Sequence, residues 1–235
     1  MPFLINPFWA TPSFGPASFA GLAGWWKADS FSLSDGTAIG GTGVEWIDQS
    51  GNGNDLVQST ALLRPTYRTN QFGSMPAIEL PGIQYLLPSS SINLSGDFCA
   101  LVVCKQTLSD DGILAGHDTL NRQMRLNRLL GNVCSYYAGG SEFTSSGYGT
   151  QDDLKMYAFR RSGGTVSFRE NKTARGTGAD ANAFLITQIF ISSGAGGTNA
   201  LAGLVGELVI YTAHLSDSDI DNLYDNYLAS RWGLP

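Results

Sequence analysis

Hydrophobic and polar positions alternate over short stretches along most of this chain, and clusters of Gly, Ser, Asn and Asp separate the stretches. A period of two is the mark of half-buried β-strands, because successive side chains on a strand point to opposite faces. The pattern predicts strands at 44–48, 77–80, 98–105, 112–115, 123–127, 133–137, 156–161, 166–170, 184–192 and 204–212. Residues 98–104 read Phe-Cys-Ala-Leu-Val-Val-Cys with no polar break, which predicts a central strand covered on both faces. Between the strands, 49–55 (Gln-Ser-Gly-Asn-Gly-Asn-Asp) is a dense turn whose glycines and asparagines suit positive φ. Many short strands at such spacing indicate a sandwich or barrel rather than alternating strands and helices.

The period changes to that of a helix near the end. Ile220, Leu223, Tyr224, Tyr227 and Leu228 make the i, i+3, i+4, i+7, i+8 stripe of an amphipathic helix. Ser216 is placed to cap it with Asp219 three residues on, and Asp217 and Asp219 put negative charge at its positive end. Gly233 and Pro235 end it.

Residues 1–20 follow neither pattern. No side-chain charge precedes Lys27, and Phe3, Leu4, Ile5, Phe8, Trp9, Phe14 and Phe19 are interspersed with four prolines and small residues. Proline keeps such a segment extended and lowers its entropic cost of docking. The segment is expected to dock through those apolar residues, on its own domain or on another subunit. It lacks the basic start and unbroken apolar run of a signal peptide.

Composition narrows the function. Of 235 residues, 43% are hydrophobic, enough for a core, and the net charge of −6 disfavours a nucleic-acid surface. Arg122, Arg125, Arg128, Arg160, Arg161 and Arg169 are spread over strand-like segments and read as solvated faces. Apolar runs are too short for a membrane span. Cys99 and Cys104 lie five apart on one strand, so they point to opposite faces and do not pair. With Cys134 the count is odd, which predicts free buried thiols and a reducing compartment.

Several segments together resemble a known family. Gly21-Leu22-Ala23-Gly24-Trp25-Trp26-Lys27-Ala28-Asp29, the run Val44-Glu45-Trp46-Ile47-Asp48-Gln49-Ser50-Gly51-Asn52-Gly53-Asn54-Asp55, the strand 206–211, and the tail 227–234 are similar to concanavalin A-like (laminin-G-like) lectin/glucanase domains. Such domains occur in bacterial surface and phage structural proteins. The resemblance spans 21–235 and implies an all-β, two-sheet antiparallel jelly-roll sandwich with a short C-terminal helix, preceded by the extended arm 1–20. In that fold Trp25, Trp46 and Trp232 are expected in the core, with Asp48 and Asn52 bonding turn amides.

The fold hosts unrelated roles, so function must come from a site. Glucanases of this fold carry acidic residues at alternate positions of one strand, whereas Glu45, Glu79, Glu142, Glu170 and Glu207 are isolated and Asp110-Asp111 and Asp152-Asp153 are adjacent pairs in turn-like context. No nucleophile elbow, zinc spacing or phosphate loop occurs. The expectation is a protein without catalysis or cofactor. The calcium that many relatives hold at a sheet edge would fall to Asp110, Asp111 and Asp118. Stacking on sugar rings would fall to Tyr136, Tyr137, Phe143 and Tyr148, around the Gly/Ser-rich stretch 138–150.

The resulting reading is a phage virion structural protein, a capsid-decoration or tail-associated homo-oligomer assembled in the host cytoplasm. Residues 1–20 would hold it to capsid or tail subunits, and the jelly roll would adhere to host glycans, with no nucleic acid or membrane as partner. A free-standing carbohydrate-binding lectin module and a glycoside hydrolase of the same fold are the alternatives.

Overall fold

The computed structural model describes residues 14–106, 112–115, 123–127, 133–138, 141–144, 152–180, 184–192 and 199–235. Among them the strands, in chain order, are β1 (Leu22–Lys27), β2 (Leu56–Val57), β3 (Thr66–Phe72), β4 (Met75–Pro81), β5 (Leu87–Pro88), β6 (Ile92–Leu94), β7 (Phe98–Gln106), β8 (Gly112–Ala115), β9 (Gln123–Asn127), β10 (Val133–Ala138), β11 (Ser141–Thr144), β12 (Lys155–Ser162), β13 (Thr165–Glu170), β14 (Thr173–Ala179), β15 (Phe184–Ile186), β16 (Ile191–Ser192), β17 (Asn199–Ala200) and β18 (Ala202–Tyr211). All pairings are antiparallel, as a sandwich of hairpins and returns requires. The large sheet runs β14-β13-β12-β7-β18-β4-β3, and β1 also pairs with β18. The sheet β11-β10-β9-β8 and the pairs β15-β6, β16-β17 and β2-β5 form the opposing layer.

Register explains why β7 carries no polar break. Trp25, Val209, Leu101, Ala158 and Arg169 stand side by side across five strands on one face of the large sheet. Trp26, Leu208, Val102, Tyr157 and Glu170 form the next row and share the other face. The first face is covered by the closing helix and the second by the opposing layer, so β7 is buried on both sides and Cys99 and Cys104 are buried free thiols.

The closing helix crosses the outer face of the large sheet. It begins as α1 (Asp217–Leu223), widens through one i→i+5 turn at Tyr224–Leu228, and ends as α2 (Ala229–Trp232). The Ser216 hydroxyl accepts from the Asp219 amide and the Asp219 carboxylate accepts from the Ser216 amide, a complete capping box. Gly233 ends the helix at φ 72, in the left-handed region, and Leu234 donates back to the Ala229 carbonyl. Ile220, Leu223, Tyr224 and Leu228 are buried as the stripe predicts. The start is held over β12 and β13 by Arg160 and Arg169, which both reach Asp217, while Arg169 also reaches Asp221. At the far end Trp232 packs edge-on to Phe72 of β3, and its indole lies where a Cβ on Gly206 would come within 2.9 Å. Glycine is therefore required at the β18 bulge.

β1 pairs with β18 along one edge, and the loop 48–55 covers the other. Asp48 accepts from the amides of Trp25, Ser50 and Asn54 and from the Ser50 hydroxyl. Asn52 and Asn54 donate to the Leu22 and Ala23 carbonyls, and the Gln49 amide donates to Trp25. Side chains thus meet the backbone groups that a neighbouring strand would otherwise meet, which blunts the edge against aggregation.

Five sequence expectations need correction. Residues 44–48 form no strand: Trp46 makes a single bridge to Leu56 and the rest of the segment belongs to the loop that serves β1. The stretch 184–192 breaks into β15 and β16 around Phe190, whose φ is 69. Trp25 lies half-buried on the outer face, unlike the buried Trp26, Trp46 and Trp232, because period two sends Trp25 and Trp26 opposite ways. Asn52 donates to the Leu22 carbonyl of β1 and to the Ser50 hydroxyl rather than bonding turn amides. Arg160, Arg161 and Arg169 are buried, not solvated: the first and last anchor the helix, and Arg161 donates to the Leu94 and Gly96 carbonyls beneath the Phe98 ring.

Residues 14–20 pack on their own domain. Pro16 is buried, its carbonyl accepts from the Tyr211 hydroxyl, and Phe14, Phe19 and Tyr211 stack edge-to-face in series. Phe3, Leu4, Ile5, Phe8 and Trp9 lie outside the described residues. Among the described residues no helix is long and apolar enough to cross a membrane.

Candidate functional site

A cleft of about 650 Å3 opens where the end of the closing helix meets the margin of the large sheet. Its walls are the β3–β4 turn (71–75), Lys105 near the end of β7, the approach to β12 (152–154) and residues 230–233. The rim is polar: Gln71, Ser74, Asp152, Asp153 and Ser230 are exposed. Asp152 takes φ 67, a conformation aspartate tolerates better than most residues, and its amide donates to the Gln106 carbonyl. Two carboxylates, Asp152 and Asp153, face two cations, Lys105 and Arg231, so formal charge in the lining balances.

The floor is fixed from below by Glu207, the charged residue inside β18. Glu207 is 1% exposed. Its Oε1 accepts from Trp25 Nε1 at 2.5 Å and from the Tyr227 hydroxyl at 2.9 Å, and its Oε2 accepts from Trp232 Nε1 at 2.5 Å. Burial raises the Glu207 pKa above its ordinary value, and the three hydrogen bonds and Arg231 offset part of that. Arg231 pairs with Asp29 and lies over the Tyr227 and Trp232 rings, 5.4 and 5.7 Å from their centroids. Trp232 and Arg231 therefore enter the cleft in one orientation, which lowers the entropic cost of ordering them around a ligand.

A rigid floor, a polar rim with both donors and acceptors, and balanced charge fit an uncharged ligand rich in hydroxyls. Acids accept hydroxyl protons, while Lys105, Arg231 and the Gln71 amide donate to hydroxyl oxygens.

The described residues among those singled out in the sequence lie on other elements. The Phe143 ring lies over β14, within 2.6 Å of where a Cβ on Gly178 would stand, so it packs against the edge strand. Tyr136 is opposite Phe143 and Tyr137 opposite Glu142 in the β10–β11 register. Tyr148, Asp110, Asp111 and Asp118 lie outside the described residues. Among the described residues no group of three or more His, Cys, Asp or Glu is placed to hold a metal. Glu207 had one sequence signal: it is the lone charge within a ten-residue apolar strand, in a chain with tryptophans near both ends. Gln71 and Ser74 had none, because an exposed turn of ordinary polar residues looks like any other.

No family model matches the chain, and no curated protein matches it. Solved structures do. Domain 4 of AbnA, a GH43 extracellular arabinanase from Geobacillus stearothermophilus determined in complex with arabinotriose, superposes at TM-score 0.58 with 18% identity, over 87% of this chain and 98% of that domain. Trypanosoma rangeli sialidase superposes at TM-score 0.55 with 10% identity over 91% of this chain, which spans 33% of the sialidase. At these identities the likeness concerns architecture alone, an antiparallel β-sandwich.

Proposed function

We propose that this chain is a non-catalytic glycan-binding module and that the cleft at the end of the closing helix is its binding site. The observation that carries the reading is the charge-balanced polar rim on a floor locked by Glu207. The whole-domain likeness to an arabinanase domain solved with arabinotriose supports it. The engagement of three glutamates supports the absence of hydrolysis: Glu79 pairs with Arg68, Glu170 with Lys155 and Arg175, and Glu207 with its three donors. The test is a glycan array with and without calcium, followed by calorimetry on hits with Gln71→Ala and Ser74→Ala. Both substitutions lie on an exposed turn that tolerates them. A loss of about tenfold in affinity is expected, equivalent to roughly 1.4 kcal/mol. An array without binders, or hits bound equally well by both variants, overturns the reading.

The aromatic, uncharged segment that ends at the packed Phe14 favours a second element of function. We propose that residues 1–13 attach the module to other subunits, in the manner of a phage decoration or tail-associated protein. Light scattering of the full chain and of a chain lacking residues 2–13 tests this. An assembly that becomes monomeric on truncation supports attachment, and equal masses remove it.

A further inference from the structure

A second cleft, about 510 Å3, lies at the opposite end of the closing helix. Arg160 from β12, Ser167 from β13, Arg175 and Thr177 from β14, and Asp217 at the helix start line it. Its chemistry repeats that of the first cleft. Arg160 and Arg175 are donors, Ser167 and Thr177 offer hydroxyls, and Asp217 is an acceptor with 64% of its side chain exposed. Charge is again compensated, since Arg160 pairs with Asp217 and Arg175 with Glu170.

The surface between the clefts is also unusual for a helix. Ser218, Asn222, Asn226 and Ser230 recur every four residues and all are exposed. Ser and Asn are poor helix formers, and an exposed helical position tolerates Ala, Glu, Lys or Arg at lower cost. On a regular α-helix a four-residue spacing drifts about 40° around the axis at each step. The wide turn at Tyr224–Leu228 advances fewer degrees per residue and reduces that drift, so the row stays close to one line. The row starts beside Asp217 in the second cleft and ends at Ser230 in the first. At 1.5 Å per residue it spans about 20 Å.

We propose that the module binds the interior of a long neutral polysaccharide, laid along the closing helix with its two ends in the two clefts and its middle on the serine–asparagine row. Amides and hydroxyls offer both a donor and an acceptor, which is what successive sugar hydroxyls need. Asp217 and Asp225 neutralise Arg160 and Lys172, and Asp152 and Asp153 are exposed at the first cleft, so the path offers a polyanion little free positive charge. Linked contacts at two clefts make the second engagement intramolecular, so affinity must rise with chain length until the span is filled.

The inference rests on the glycan-binding reading, and calorimetry with fragments of graded length separates the two. Dimers, tetramers and octamers from β-glucan, xylan and arabinan are the probes, with polygalacturonate fragments as the charged comparison. The octamer of the preferred neutral series is expected to bind at least about tenfold more tightly than the dimer. The Asn222→Ala/Asn226→Ala double variant, whose changes are exposed and favour helix, is expected to bring the octamer-to-dimer ratio close to one. Equal affinity for dimer and octamer overturns the inference and leaves a single-cleft glycan site standing. A length dependence that survives the double variant overturns the helical path. Preference for the charged fragments overturns neutrality. Failure of every probe and of the array overturns the glycan-binding reading itself.

Discussion

Glu207 joins β1, 182 residues away through Trp25, to the closing helix, through Tyr227 of the wide turn and Trp232 of the last turn. All three donors are neutral, and Arg231 Nε, 3.9 Å from Oε2, supplies an opposing charge. A Glu207→Gln variant keeps the shape but turns an NH2 toward an N–H or O–H donor. It is expected to lower unfolding free energy by about 2–3 kcal/mol, read by denaturant melts at neutral pH. The pH dependence has a definite sign. Burial raises the folded-state pKa, so this residue's contribution is fully present below its unfolded value and is lost as pH rises through the folded one. The difference in stability between wild type and Glu207→Gln should therefore vary over that interval and level off above it; a flat difference removes the assignment. Burial also pushes the Cys99 thiol up to about 12 and raises that of Cys104. Neither is expected to react with a thiol reagent at neutral pH until the protein unfolds, as peptide mapping of the native and denatured protein would show.

At the level of elements, the loop 48–55 and the closing helix each replace something a strand would do. The loop meets the outer edge of β1 with side chains, and Asp48 alone receives four hydrogen bonds. Asp48→Ala leaves the Trp25 and Asn54 amides without their acceptor and is expected to destabilise by about 2–4 kcal/mol. Hydrogen exchange should then accelerate first at the Trp25 amide; unchanged protection there would deny the loop its role. The helix is tied to the sheet by ion pairs at its start. Burial raises the Asp217 pKa, but the Arg169 hydrogen bond and the Arg160 and Arg169 charges outweigh it, so the carboxyl sits below its ordinary value. A depressed carboxylate contributes stability above the unfolded pKa and loses it as pH falls through the folded one. Acid below the ordinary carboxylate range should loosen the helix start, and Asp217→Asn should remove that acid sensitivity. Both features were partly legible in the sequence. The capping box and the apolar stripe named the helix and its buried face, but the wide turn has no sequence mark. The 49–55 turn was plain, whereas the alternation at 44–48 suggested a strand because a loop that inserts one tryptophan into the core alternates in the same way. Arg160, Arg161 and Arg169 read as solvated because their partners, an aspartate beyond residue 210 and carbonyls before residue 97, are remote in sequence.

For the whole molecule, the architecture follows from period-two patterning and was legible from it. The clefts were not, since each is assembled from exposed polar residues on three or four elements whose proximity only the topology supplies. Residues 14–20 belong to the folded unit by packing, with the Tyr211 hydroxyl bonded to Pro16 and Phe19 against the Tyr211 ring. A chain lacking residues 2–20 is expected to melt roughly 5–10 °C below one lacking residues 2–13, for a loss of about 2–3 kcal/mol. Equal melting temperatures would show that the packing contributes nothing. Among the described strands β18 reaches widest: β7 lies along one edge, with β4 and then β1 sharing the other on either side of the Gly206 bulge. During synthesis, β1, β4 and β7 leave the ribosome long before the strand that joins them. Until residues 202–211 emerge, β7, apolar from Phe98 to Cys104, can pair with β12 along one edge only, and its other edge stays open to aggregation or to a chaperone.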